Sequence, residues 1–183
     1  LGDQTPNTSA RCVSVWPIGW KQKKQKRKDT HNMGNRAVIT LAKKPTQNSV
    51  GIYLHWNGGA ESVLAFAEAS KHFGVRLHDE TYATARLAQI IGNFFGGTLS
   101  VGVGILWQLD CENFDNGTYK VSFEGDAVVI EQSADGKKDW KRLDNDQLRK
   151  HAYWKETEDQ ENIIATIIAR NKPAFQPAEA VCK

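Results

Sequence analysis

Two glycine pairs, Gly58-Gly59 and Gly96-Gly97, bracket the stretch that most restricts how this chain can fold. Between them run two helical patterns in succession, over residues 60–73 and 80–95. In the first, Val63, Phe66, Ala67 and Ser70 share one face at i, i+3, i+4, i+7 spacing. In the second, Ala88, Ile91 and Phe95 share a face that Leu87, Ile90 and Phe94 widen. Gly74 stands where a helix end requires a residue free to turn left-handed. Two consecutive helices with broad apolar faces need a sheet to cover.

The flanking segments supply that sheet. Residues 37–41 and 50–56 are β-branched and apolar, separated by a polar turn at 43–48 that holds Pro45, so they read as two antiparallel strands. Residues 99–106 read as a strand with Gly102 and Gly104 inside it, a sign of close backbone approach. Residues 118–123 and 127–131 read as a hairpin around Glu124-Gly125-Asp126. A last helix is expected over 156–170, with Ile163, Ile164, Ile167 and Ile168 as its stripe, before Pro173 and Pro177 break the pattern. The order is β-β-α-α-β-β-β-α. Strands and helices fall in blocks, which predicts an α+β fold: an antiparallel sheet of about five strands packed against two or three helices.

Charge divides the chain unevenly. Residues 1–32 hold seven Lys and Arg against two Asp, a net +5, whereas residues 33–183 hold seventeen against nineteen, a net −2. The basic run includes Lys23, Lys24, Lys26 and Arg27. Met33 is the only methionine, and the patterned region starts directly after it. Residues 1–32 are therefore expected to be a disordered or non-native basic leader, 33–172 one α+β domain, and 173–183 a flexible tail. No apolar run approaches the roughly 18 residues of a membrane helix. Cys12, Cys111 and Cys182 are odd in number and far apart, with no C-x-x-C pair. Unpaired thiols and the wrong order of charge and apolarity for a secretory signal predict a cytoplasmic protein without membrane association.

The candidate chemistry is sparse. His55-Trp56-Asn57-Gly58-Gly59 places a histidine at a strand end before a helix, where His55 and Asn57 can face a bound group. The plainer reading is a tight turn with Trp56 packed in the core. Asp110, Glu112 and Asp115 form an acidic cluster whose plain reading is a solvated loop ending in an Asp-Asn-Gly turn; the functional readings are a protein-binding patch and, behind it, a hard-cation site. An EF-hand is excluded, because its sixth position would be Asp115 and its twelfth Val121. His72, His78 and His151 lack H-E-x-x-H spacing, and neither a phosphate loop nor a G-x-S-x-G elbow occurs. No catalytic residue, metal ligand or cofactor is assigned. Lys137, Lys138, Lys141 and Arg142 form a basic patch, but Asp135, Asp139, Asp144 and Asp146 interleave with it.

Met33-Gly34-Asn35-Arg36-Ala37-Val38-Ile39-Thr40 begins a resemblance that extends well beyond these residues. It continues through Gly51-Ile52-Tyr53-Leu54-His55-Trp56-Asn57-Gly58-Gly59 and Ala85-Arg86-Leu87-Ala88-Gln89-Ile90-Ile91-Gly92-Asn93-Phe94-Phe95-Gly96-Gly97. It resumes at Leu99-Ser100-Val101-Gly102 and Leu109-Asp110-Cys111-Glu112-Asn113-Phe114-Asp115-Asn116-Gly117-Thr118-Tyr119. Over these segments the chain resembles a family encoded by phages, prophages and conjugative elements. Residues 1–32 lie outside the pattern, and those from about 132 onward follow it loosely. The resemblance implies a mobile-element accessory protein and brings no catalytic residues to carry over. By context it implies an anti-defence protein, an anti-CRISPR inhibitor that binds subunits of a host effector complex. Two other readings stay open: a nucleic-acid-binding accessory protein working through the leader, and a small enzyme with its site at His55.

Overall fold

The computed structural model describes residues 35–97, 100–153 and 163–172. Six strands make the sheet: β1 (Ala37–Thr40), β2 (Val50–Leu54), β3 (Val101–Ile105), β4 (Thr118–Glu124), β5 (Ala127–Ser133) and β6 (Lys141–Arg142). Their spatial order is β3-β2-β1-β4-β5-β6. Four helices are described: α1 (Ala60–His72), α2 (Glu80–Phe95), α3 (Asn145–Tyr153) and α4 (Ile163–Asn171).

The two central helices sit where their periodicity places them. The Asp79 carboxylate caps α2 by accepting from the Tyr82 N–H at 3.1 Å, and Gly96 ends it at φ +66. Alternation along the strands sends Ala37, Ile39, Ile52, Leu54, Tyr119, Val121 and Ile130 into one core with Val63, Phe66, Leu87, Ile90 and Ile91 of the helices. Ile167 of α4 joins them, and Asn171 is satisfied inside by the Ile90 and Ile167 carbonyls and by Asn93. No helix among the described residues is long and apolar enough to cross a membrane.

Several expectations need correction. The sheet has six strands and is mixed: β1 pairs β4 in parallel, with Ile39 opposite Tyr119, and the other four pairings are antiparallel. The cause is the 106–117 segment. β3 ends at the far end of the sheet, and the chain then returns across the helix-free face to start β4 beside the start of β1. A Cβ on Gly51 would stand 2.7 Å from Leu106 and 2.9 Å from Leu109, so this segment lies against the sheet itself. The predicted strand 99–106 stops at Ile105, and residues Leu106–Gln108 form a single 3-10 turn. β6 and α3 are additional elements, because short charged segments carry no apolar period. The last helix is described from Ile163, and the part expected over 156–162 lies outside the described residues, as do the 1–32 leader and the 173–183 tail.

Candidate functional site

β1 begins, β2 ends and β4 begins at the same end of the sheet, so three loops distant in sequence meet there. Arg36 is the hub. Its Nε donates to Asp115 Oδ2 at 2.8 Å, its backbone N–H reaches the same oxygen at 3.1 Å, and its Nη1 lies 3.7 Å from Asp110 Oδ2. The Asp115 side chain is only 7% exposed, that of Asp110 53%. The hydrogen bond from the Arg36 side chain, helped by that from its backbone and by the guanidinium charge, outweighs desolvation and holds the Asp115 carboxyl below the usual carboxylate range.

His55 and Asn57 stand on the neighbouring turn. The His55 carbonyl accepts from the Asn35 N–H at 3.4 Å, and its Nδ1 lies 3.4 Å from the Tyr53 hydroxyl. Asn57 adopts φ +55, a left-handed conformation that asparagine tolerates better than most side chains. Gly58 is fixed by space: a Cβ there would stand 2.6 Å from the Arg36 carbonyl carbon and the Asn35 oxygen. Trp56 is not a core residue. It is 43% exposed and packs edge-on against the His55 ring at 4.8 Å, because the turn has already left the sheet at this position.

The 110–117 loop is rigid from within. Asn113 is fully buried. Its amide donates to the Asp110 and Gly117 carbonyls, and its Oδ1 accepts from the N–H groups of Asp115, Asn116 and Gly117 at 3.0–3.2 Å. Asn116 ties the loop to the start of β1 through Asn35 and the Arg36 carbonyl. Held in this frame, Phe114 has φ +58 and is 92% exposed. Glu112 projects outward and pairs with Lys137 at 3.4 Å.

Shallow clefts flank the loop on both sides. One, of about 440 Å³, has Trp107, Asp110, Cys111, Glu112 and Asp135 among its lining residues. The other, of about 640 Å³, is lined by Glu112, Phe114, Asp115, Asp135, Asp139 and Lys141 among others. Acids outnumber bases in both, with Lys137 in the first and Lys141 in the second, and the remaining lining is apolar or uncharged. Burial pushes the Cys111 thiol pKa up, which disfavours the thiolate a nucleophile needs. Trp107 is 71% exposed at the rim.

No protein-family model, curated protein or solved structure matches this chain.

The structure brings together His55, Asn57, Asp110 and Asp115, and places Glu112 on the outer side of the same loop. Lys23, Lys24, Lys26 and Arg27 lie outside the described residues. In the second basic patch, Lys137 pairs with Glu112 and Arg142 with Glu124. Sequence reasoning missed Arg36, which organises the cluster, and Phe114, its most exposed apolar group. Phe114 had a legible signal: it is the one large apolar residue in 110–117, a stretch otherwise made of acids, amides, glycine and a cysteine.

Proposed function

We propose that this chain is a protein-binding inhibitor carried by a mobile element, acting on a host CRISPR effector complex by seating the 110–117 loop on its surface. Phe114 carries the reading. A large apolar ring is exposed to water and its backbone is held in a region that costs roughly 1–2 kcal/mol for a side-chain-bearing residue. The core gains nothing from that strain, and strain maintained by an over-determined frame is characteristic of binding positions. A rigid aromatic loses little conformational entropy on docking, and such residues dominate interface energetics.

The rim defines the partner. Among the described residues, Glu112, Asp115, Asp135 and Asp139 line the same cleft as Phe114, against a single cation there, Lys141. A complementary surface has an apolar pocket edged by Lys or Arg, and complexes that hold nucleic acid present such cations. The resemblance of segments covering most of residues 33–123 to mobile-element proteins is what supports the biological setting.

The test is affinity purification of the tagged full chain from nuclease-treated extracts of bacteria with a CRISPR system. Effector subunits in stoichiometric amounts are the expected result. Recovery of nucleic acid alone, or of no protein, contradicts the proposal in that host. Retention that depends on residues 1–32 and falls steeply with salt would instead favour the nucleic-acid reading.

A further inference from the structure

The two edges of the sheet are built differently. β6 is two residues long, both are basic, and Arg142 is paired with Glu124 at 3.2 Å. Shortness and charge blunt an edge against pairing with another strand. β3, at the other edge, has neither device. Residues 98–108 contain no charged residue and no proline, and Val103 is 59% exposed.

The hydrogen-bond phase of this edge follows from its flanks. The His55 N–H donates to the Ser100 carbonyl and the Leu106 N–H to the Ser49 carbonyl, each at 2.9 Å. The same register sets Tyr53 opposite Gly102 and Gly51 opposite Gly104. Bonded and non-bonded pairs alternate in an antiparallel ladder, so the even-numbered residues of β3 bond to β2. Val101, Val103 and Ile105 consequently turn their N–H and C=O groups away from β2, toward the outer edge of the sheet. No strand pairs with that edge among the described residues.

We infer that this edge binds a second copy of the same chain, β3 against β3 in antiparallel register across a twofold axis at Val103. Val101-Gly102-Val103-Gly104-Ile105 reads nearly the same in both directions. Twofold pairing sets Val103 against Val103 of the second copy, and Val101 against Ile105. All are outward-bonding residues, so each opposed pair exchanges both of its N–H···O bonds. Their side chains meet on the helix-bearing face, where like apolar groups pack. On the other face Gly102 meets Gly104 of the second copy, with Leu109 and Gln108 lying nearest to Gly104. An isologous contact of this kind closes at the dimer.

Sedimentation velocity of the full chain at concentrations up to roughly 100 µM tests this, because a dimer grows in with protomer concentration. The expected result is a doubling of mass, with the Val101, Val103 and Ile105 amides protected from hydrogen exchange. Val103→Pro removes an outward donor and no bond to β2, so it should give a monomer with an unchanged circular dichroism spectrum. Val103→Lys, which opposes two like charges on the axis, should do the same and serves if the proline variant does not fold. A wild-type chain that stays monomeric throughout overturns the inference, as does a folded variant that still dimerises. A monomer whose three amides become protected only on adding a partner protein also overturns it, and assigns the edge to an extended peptide instead.

Discussion

Asn113 shows how one buried amide can define a surface. It is fully buried, and its side chain bonds five backbone groups of the loop, of which the Gly117 carbonyl and the Asn116 N–H have a second partner in the Val38 N–H and the Arg36 carbonyl. Asn113→Ala leaves several of them without partners, at about 1–3 kcal/mol for each one that stays dry. A loss of about 3 kcal/mol in urea unfolding is the expected outcome. Phe114 should behave in the opposite way. Phe114→Gly removes exposed area and relieves the left-handed strain, partly offset by the extra freedom of glycine in the unfolded chain. Its unfolding free energy should be unchanged or higher by up to about 1 kcal/mol. Asp115 gives the loop a pH dependence. Arg36 depresses its folded pKa below the ordinary 3.8, so its stabilisation is complete above that value and declines as pH falls through and below it. Thermal midpoints measured from pH 6 to pH 2 should drop less steeply for Asp115→Asn than for the wild type. The acids of this loop were legible as a cluster, but Arg36 was not, because its partner Asp115 lies far along the chain and no local spacing links them.

At the scale of elements, legibility followed period. α1, α2 and the β4–β5 hairpin carry clear 3.6-residue or alternating patterns, and they appear close to where those patterns put them. The direction of the β1–β4 pair was hidden, since alternation is the same in parallel and antiparallel strands. What decides it is the return of residues 106–117 across the sheet, a path with no period to read. α3 was hidden by polarity. Leu148 packs on the core, and the Arg149–Glu68 ion pair at 2.9 Å joins α3 to α1. A cap signal was nonetheless present, for the Asp144 carboxylate accepts from the Asp146 and Gln147 N–H groups at the helix start. The start of β4 relies on Gly117, at φ +66, where a Cβ would stand 2.4 Å from the Ser133 carbonyl oxygen. Gly117→Ala should therefore displace the loop from β5 and cost more than the usual 1 kcal/mol or so of a left-handed glycine replacement. Faster amide exchange at Thr118 and Ser133 is the accompanying sign.

For the whole molecule, the sheet topology gathers His55, Asn57, Asp110 and Asp115 at one end, around an arginine, with Phe114 projecting beside them. Those candidates came from separate stretches of sequence, and only the parallel β1–β4 pair makes them neighbours. The central claim is that this assembly is a docking surface, and one titration tests it most directly. Purified effector complex is titrated with wild-type chain and with Phe114→Ala, whose thermal midpoints are first shown to agree. An interface anchor is worth about 2 kcal/mol or more, so the variant should bind at least roughly thirtyfold more weakly. Equal affinities for the two chains would contradict the assignment of the 110–117 loop as the binding element.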